Sequence, residues 1–171
     1  MAEPQPPRPA PGAPPPGTVL DQHFAGCFGC GQAVVGGLRL RVTAGAGVRV
    51  MARLLVEPAH QGAPGLAHGG VLSAAFDETI GALLWLLSTP AVTRRLVTEF
   101  LRPVPVGSTL HIDAQCVRVE GRKIFSEAEG RLDAPDGPLA LRAKALFVAV
   151  PLSHFSTHGT GDGTSIATYN P

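Results

Sequence analysis

Chemistry is densest in "LAHGGVLSAAFDETIG", residues 66 to 81, where His68, Gly69 and Gly70 stand at the mouth of an apolar run that also holds Asp77 and Glu78. An ionised carboxylate in apolar surroundings is costly unless it is paired or used. If the run is helical, Gly69 and Gly70 open it. The first N–H groups of a helix have no intrahelical partner and lie at the positive end of the macrodipole. Glycine has no Cβ, so a carbonyl oxygen can approach its backbone closely. Together these make an oxyanion-holding end. Gly70, Ser73, Asp77 and Gly81 then follow at spacings of three, four and four, which lines them along one helix face. Asp77 therefore sits on a stripe of small residues open to a slim substrate or a second chain. Glu78 points about 100° away and is expected to pair with an arginine or with solvent.

Distance constrains how these groups can cooperate. Gly69 and Asp77 are eight residues apart, or about 12 Å along a helix axis. A carbonyl held at Gly69 is out of hydrogen-bond reach of the same chain's Asp77. If both act on one carbonyl, Asp77 must come from a second copy, at a site on a two-fold interface.

Residues 69 to 87 are apolar on nearly every face and too long for a strand, so they predict one buried helix that stops before Pro90. "LRLRV" and "VRVMARLLV" alternate apolar and polar residues and predict two strands joined by "TAGAG". After the helix come "TRRLVTEFLRP", "STLHIDAQCVRVE", "RKIFSEAEGRLD" and "LALRAKALFVAV", four more strands of an antiparallel meander. The fold class is α+β, a curved antiparallel sheet of about six strands wrapped around one long central helix.

The chain has 171 residues, 44% of them hydrophobic and 16% charged, with formal net charge +1. That is the profile of one globular domain, placed at residues 19–152. Eight of the 17 prolines fall in residues 1–18, expected to be an extended, mobile tail, and 153–171 reads as an irregular tail. Charge is spread without a basic patch, so neither nucleic acid nor membrane is an expected partner. The longest unbroken apolar run, "ALLWLL", is far short of the roughly 18 residues of a membrane span, and no signal peptide is recognisable. Three cysteines, Cys27, Cys30 and Cys116, are too few for a disulfide framework and fit a reducing, cytoplasmic setting.

The sequence resembles the hotdog-fold acyl-CoA thioesterases, in particular the branch typified by the phenylacetate-pathway thioesterase, within the 4-hydroxybenzoyl-CoA thioesterase superfamily. The resemblance covers about residues 24 to 152. It is carried by "CFGCGQAVVGGLRL", "HQGAPGLAHGGVLSAAFDETIG", "RPVPVG" and "VEGRKIF". It implies a helix wrapped by a sheet, a homodimer that often pairs into a homotetramer, and hydrolysis of an acyl-CoA thioester without a cofactor. In its terms Gly69 offers its N–H to the thioester carbonyl and Asp77 is nucleophile or general base. His68 shapes the carbonyl site, Gln61 lies near the attacking water or the substrate, and Thr93 orients water beside the acid. Apart from the resemblance, the small-residue stripe puts Gly70 and Ser73 where they would line the substrate, and "EGRK" at a hairpin offers Arg122 and Lys123 as cations for the phosphates of CoA.

Other readings are weaker. A non-catalytic acyl-CoA binding module on the same fold would not need Asp77. A hotdog hydratase would place its histidine after the acid, and His68 precedes it. No G-x-S-x-G or P-loop occurs. Cys27 and Cys30 with His154 and His158 would make a Cys2His2 set, but it lacks compact finger spacing, so no metal is expected and the C-x-x-C reads as a turn.

Overall fold

Alternation in the strands decides which way the sheet faces. In a computed structural model of the chain, which describes residues 7–159, β1 spans Val42–Ala44 and β2 spans Arg49–Leu55. Strand β2 buries Val50, Ala52 and Leu54 and turns Arg49, Met51, Arg53 and Leu55 outward. After the short hairpin β3 (Gln61–Ala63) and β4 (Leu66–Ala67) come helices α1 (Gly69–Gly81) and α2 (Leu83–Leu87). Strands β5 (Ala91–Phe100), β6 (Thr109–Glu120), β7 (Lys123–Leu132) and β8 (Leu139–Ala149) complete the domain, and α3 (Ser153–His158) ends it.

Strands β1, β2 and β5 to β8 form one antiparallel sheet in the order β1-β2-β6-β7-β8-β5. Helix α1 packs against β2, β5, β6, β7 and β8. Strands β2 and β5 stand four places apart, about 19 Å in a flat sheet at some 4.8 Å per strand. A helix is only about 10–12 Å across, so contact with both requires the sheet to curl around it. The core meets at that concave face. Leu72, Ala75, Phe76, Thr79 and Ile80 of α1 are buried against Leu110, Ile112, Ile124, Leu141 and Phe147 of the sheet. Gly130 makes room for the largest of them: a Cβ there would lie 2.8 Å from the Phe76 ring.

Four details depart from the expectations above. The helix is interrupted at Ala82 and ends at Ser88, whose φ of 47° is left-handed, two residues before Pro90. An 18-residue window of it reaches a mean hydropathy of 1.4, long and apolar enough by composition to span a membrane, and half of that window is buried inside the fold. "LRLRV" is not a strand throughout, because Arg39 takes a φ of 50° and breaks the extended run, so β1 begins only at Val42. The N–H groups of Leu38 and Leu40 bond instead to the carbonyls of Phe28 and Gly29. Residues 10–20, assigned mostly to a mobile tail, bond along the fold: Ala10 N–H to Leu86, Gly17 N–H to Ala44 and Leu20 N–H to Val42. Pro-rich segments have few N–H donors of their own, and these three find carbonyls of the domain. At the other end 153–158 is helical. The tail residues 1–6 and 160–171 lie outside the described residues.

Candidate active site

His68 is the N-cap of α1, in extended conformation, and its Nδ1 accepts the Gly70 N–H at 2.9 Å. The neutral ring thus carries its proton on Nε2. Behind it the His68 N–H donates to the His60 carbonyl at 2.7 Å, and Gly62 passes so close that a Cβ would lie 2.8 Å from His68 Cα. This tight packing fixes the helix entrance. Gly70, expected to line substrate, has its N–H taken by His68. The Gly69 N–H meets no acceptor among the described residues. Beside it lies a cleft of about 300 Å³ walled by Leu66, Leu72, Phe100, Arg102 and Val104.

At the far end of α1, Asp77 Oδ1 accepts a hydrogen bond from Thr93 Oγ1 at 2.9 Å. Thr93 stands at a β-bulge in β5, where the register against β8 shifts between Thr93 and Arg95. Burial pushes the Asp77 carboxyl above the usual aspartate range, with the Thr93 bond working against it and the neighbouring Cys27 charge adding to it. Between the two ends, Ser73 Oγ lies 3.5 Å from Thr98 Oγ1, a marginal hydrogen bond. Gly69 abuts Phe100, Ser73 meets Thr98 and Asp77 meets Thr93, so α1 runs against β5 and turns its small-residue stripe toward that strand. Strand β5 is an edge, hydrogen-bonded to β8 alone in the six-stranded sheet.

The remaining expected residues divide. Gln61 Oε1 accepts the Gly65 N–H at 2.6 Å, which ties it to the β3–β4 turn, where Gly65 has a φ of 76°. Arg122 Nε donates to the Ala149 carbonyl at 2.9 Å and staples the β6–β7 hairpin to β8. Lys123 is exposed on that hairpin, opposite Val148, which pairs on its other side with Val92. The hairpin therefore lies at the Asp77 end of the helix. A larger concavity of about 1330 Å³ occupies the outer sheet face, among Arg49, Arg53, Asp113, Glu129 and Arg142, remote from Gly69 and Asp77 in the layer order.

One grouping has no counterpart in the spacing of the sequence. Glu78, expected to face an arginine or solvent, instead meets His23, Cys27 and Cys30. His154 and His158 lie against each other in α3 with ring centroids 4.7 Å apart and the rings tilted by 56°. Around the cysteines, the Cys30 thiol and nearby N–H groups hold the Cys27 thiol down to about 3, and the Cys27 charge in turn pushes Cys30 up. Burial would lower His23, but its bonds to Cys27 and Glu78 outweigh that and lift it to about 10. A histidine four residues before a C-x-x-C was the available signal; Glu78 arrives only through the fold.

A curved antiparallel sheet wrapped around one helix, with a glycine N–H left without an acceptor among the described residues at the helix entrance, defines a hotdog-fold protein. The thioesterase superfamily profile matches residues 64–136. The chain is 34% identical over 91 residues to acyl-coenzyme A thioesterase THEM4 of Xenopus laevis, covering 53% of this chain and 40% of that protein. The chain thus matches less than half the length of this curated relative. Among solved structures, the PaaI protein of the Escherichia coli phenylacetic acid degradation operon superposes with a TM-score of 0.61 at 17% identity, over 67% of this chain and 81% of that one. A hypothetical thioesterase of Streptococcus pneumoniae, solved with coenzyme A, gives 0.56 at 20% identity, over 60% and 78%. At these identities the two structures establish the fold.

Proposed function

We propose that the chain is an acyl-CoA thioesterase acting as a homodimer, with dimers able to pair, in which Gly69 of one subunit and Asp77 of its neighbour serve one thioester. The observation that carries this reading is the pairing of an unengaged Gly69 N–H with a Thr93-held Asp77 on one helix face toward an open sheet edge. The thioester carbonyl accepts the Gly69 N–H while its acyl group enters the adjoining cleft. Asp77 removes a proton from water as the oxygen adds to the carbonyl carbon, or attacks the carbonyl itself and forms an acyl-aspartyl anhydride, which water hydrolyses once CoA has left, freeing the acid and regenerating the carboxylate. The negative charge moves to the carbonyl oxygen, where one preorganised donor contributes about 3 kcal/mol. The C–S bond then breaks, and CoA leaves as its thiolate and takes up a proton. A carboxyl raised by burial is a better base near neutral pH than a free aspartate. Lys123 and the outer nitrogens of Arg122 at the Asp77 end, and Arg102 at the cleft, are the cations on offer to CoA phosphates. The THEM4 relative, named an acyl-coenzyme A thioesterase, and the coenzyme A in the pneumococcal structure support this substrate class. A cytoplasmic setting suits three cysteines that all stay free of disulfides.

The test is thiol release from a panel of acyl-CoAs by wild type and Asp77→Ala. Loss of a general base costs about 10²–10⁴-fold in turnover. Full turnover by the variant on every substrate cleaved would overturn the mechanism. Saturable acyl-CoA binding by wild type with no thiol released would make the chain a binding module.

A further inference from the structure

We propose that His23, Cys27, Cys30 and Glu78 are the four ligands of a zinc-class divalent cation that fastens the loop before β1 to the central helix. Four potential ligand atoms, two sulfurs, an imidazole nitrogen and a carboxylate oxygen, all lie within 4.8 Å of one another. Cys30 Sγ is 3.1 Å from His23 Nδ1, Cys27 Sγ is 3.3 Å from Glu78 Oε2, and His23 Nδ1 is 3.5 Å from Glu78 Oε1. Bond lengths of about 2.3 Å to sulfur and 2.0–2.2 Å to nitrogen and oxygen give a tetrahedron with edges of roughly 3.3–3.8 Å. The group is already near that size, so closing on an ion asks for small side-chain shifts.

The backbone around the cysteines is shaped for this role. Gly29 N–H points at Cys27 Sγ at 3.3 Å, the outer-shell bond that steadies a metal-bound thiolate. Gly31 N–H closes the turn onto the Cys27 carbonyl at 2.9 Å. A Cβ on Gly29 would lie 2.6 Å from Glu78 Cδ, and one on Gly31 2.5 Å from the Cys27 carbonyl oxygen. Glycine at both places lets the turn wrap the sulfurs while Glu78 reaches in. Cys30 is buried and the other three are half-buried, a partly desolvated pocket in which soft sulfur and imidazole donors select zinc over magnesium or calcium. With four protein ligands the site is closed, which assigns it to structure rather than catalysis. Its consequence is local: the same loop offers the Phe28 and Gly29 carbonyls that receive Leu38 and Leu40, so the ion would hold the support on which the chain enters β1. This inference does not depend on thioester hydrolysis.

The experiment measures metal, not turnover. The full chain is expressed with zinc in the medium, exchanged into metal-free reducing buffer and assayed by elemental mass spectrometry. About one zinc per chain is expected, retained in Cys116→Ala and lost in the Cys27→Ser/Cys30→Ser double variant. Co2+ added to the stripped wild-type chain should give thiolate-to-cobalt charge-transfer absorption with tetrahedral d–d bands. Should the double variant fail to fold, Glu78→Gln, checked by circular dichroism, should bind Co2+ at least about tenfold more weakly in chelator competition. Less than about a tenth of an equivalent of zinc with no cobalt charge-transfer band would overturn the proposal. So would zinc retained by the folded double variant, or unchanged Co2+ affinity in folded Glu78→Gln.

Discussion

Two N–H groups that look equivalent in sequence have different fates. His68 takes up the Gly70 N–H, and the Gly69 N–H stays available at the first position of α1. Proline is tolerated at that position and lacks only the N–H, while His68 already has the extended backbone a residue before proline prefers, at φ −69° and ψ 132°. Gly69→Pro should therefore keep the melting temperature of wild type and lose about 10²–10³-fold in kcat, the cost of one oxyanion donor. Gly69→Ala, whose Cβ would only touch the Phe100 ring at 3.4 Å, keeps the N–H and should retain most activity. Equal losses in the two variants would point to sterics. In the proposed reaction Thr93, which bonds Asp77, is a positioning residue. Thr93→Val should lower kcat about tenfold with KM little changed, and Thr93→Ser should restore it.

At the scale of elements, the fit between α1 and β7 is the sharpest. Gly130 exists to admit Phe76, so Gly130→Ala should destabilise by about 1–3 kcal/mol as an overpacked core does, read from denaturant midpoints. On the outer face of the same strand, the Arg131 guanidinium beside Glu129, with Arg142 on its other oxygen, holds the Glu129 carboxyl below the usual carboxylate range. A lowered folded value stabilises above the unfolded glutamate value near 4.3 and is lost as pH falls through the folded value. Glu129 is 40% exposed, so screening keeps the effect under about 1 kcal/mol. Glu129→Gln should melt slightly below wild type at pH 7, and the two should converge as pH falls below the folded value of Glu129. Strand alternation was legible from the sequence because one face is wet and the other dry. The break at Arg39 was not, since nothing local requires an arginine to adopt φ 50°; the pairing of Leu38 and Leu40 with the 28–29 loop accompanies it.

For the whole molecule, the consequence lies between subunits. If Gly69 and Asp77 of different subunits form each site, an Asp77→Ala subunit paired with a Gly69→Pro subunit has one intact site and one doubly broken site. Isolated tagged heterodimers should regain about half of wild-type activity, although neither parent homodimer is active. No recovery in a verified heterodimer would place both groups in one chain.

Sequence alone determined the order of the six sheet strands and the central helix, the sheet wrapped on that helix, and the pattern of His68, Gly69 and Asp77 along it, because periodicity, capping and helix rise are local properties of the chain; the β3–β4 hairpin and α3 were not read from it. Tertiary structure decided what depends on residues far apart: that Thr93 reaches Asp77, that Arg122 fastens its hairpin to β8, and that Glu78 meets His23, Cys27 and Cys30. Residues 27 and 78 are 51 positions apart. No spacing rule spans that interval, and only the packing of the loop against the flank of α1 brings them to one point.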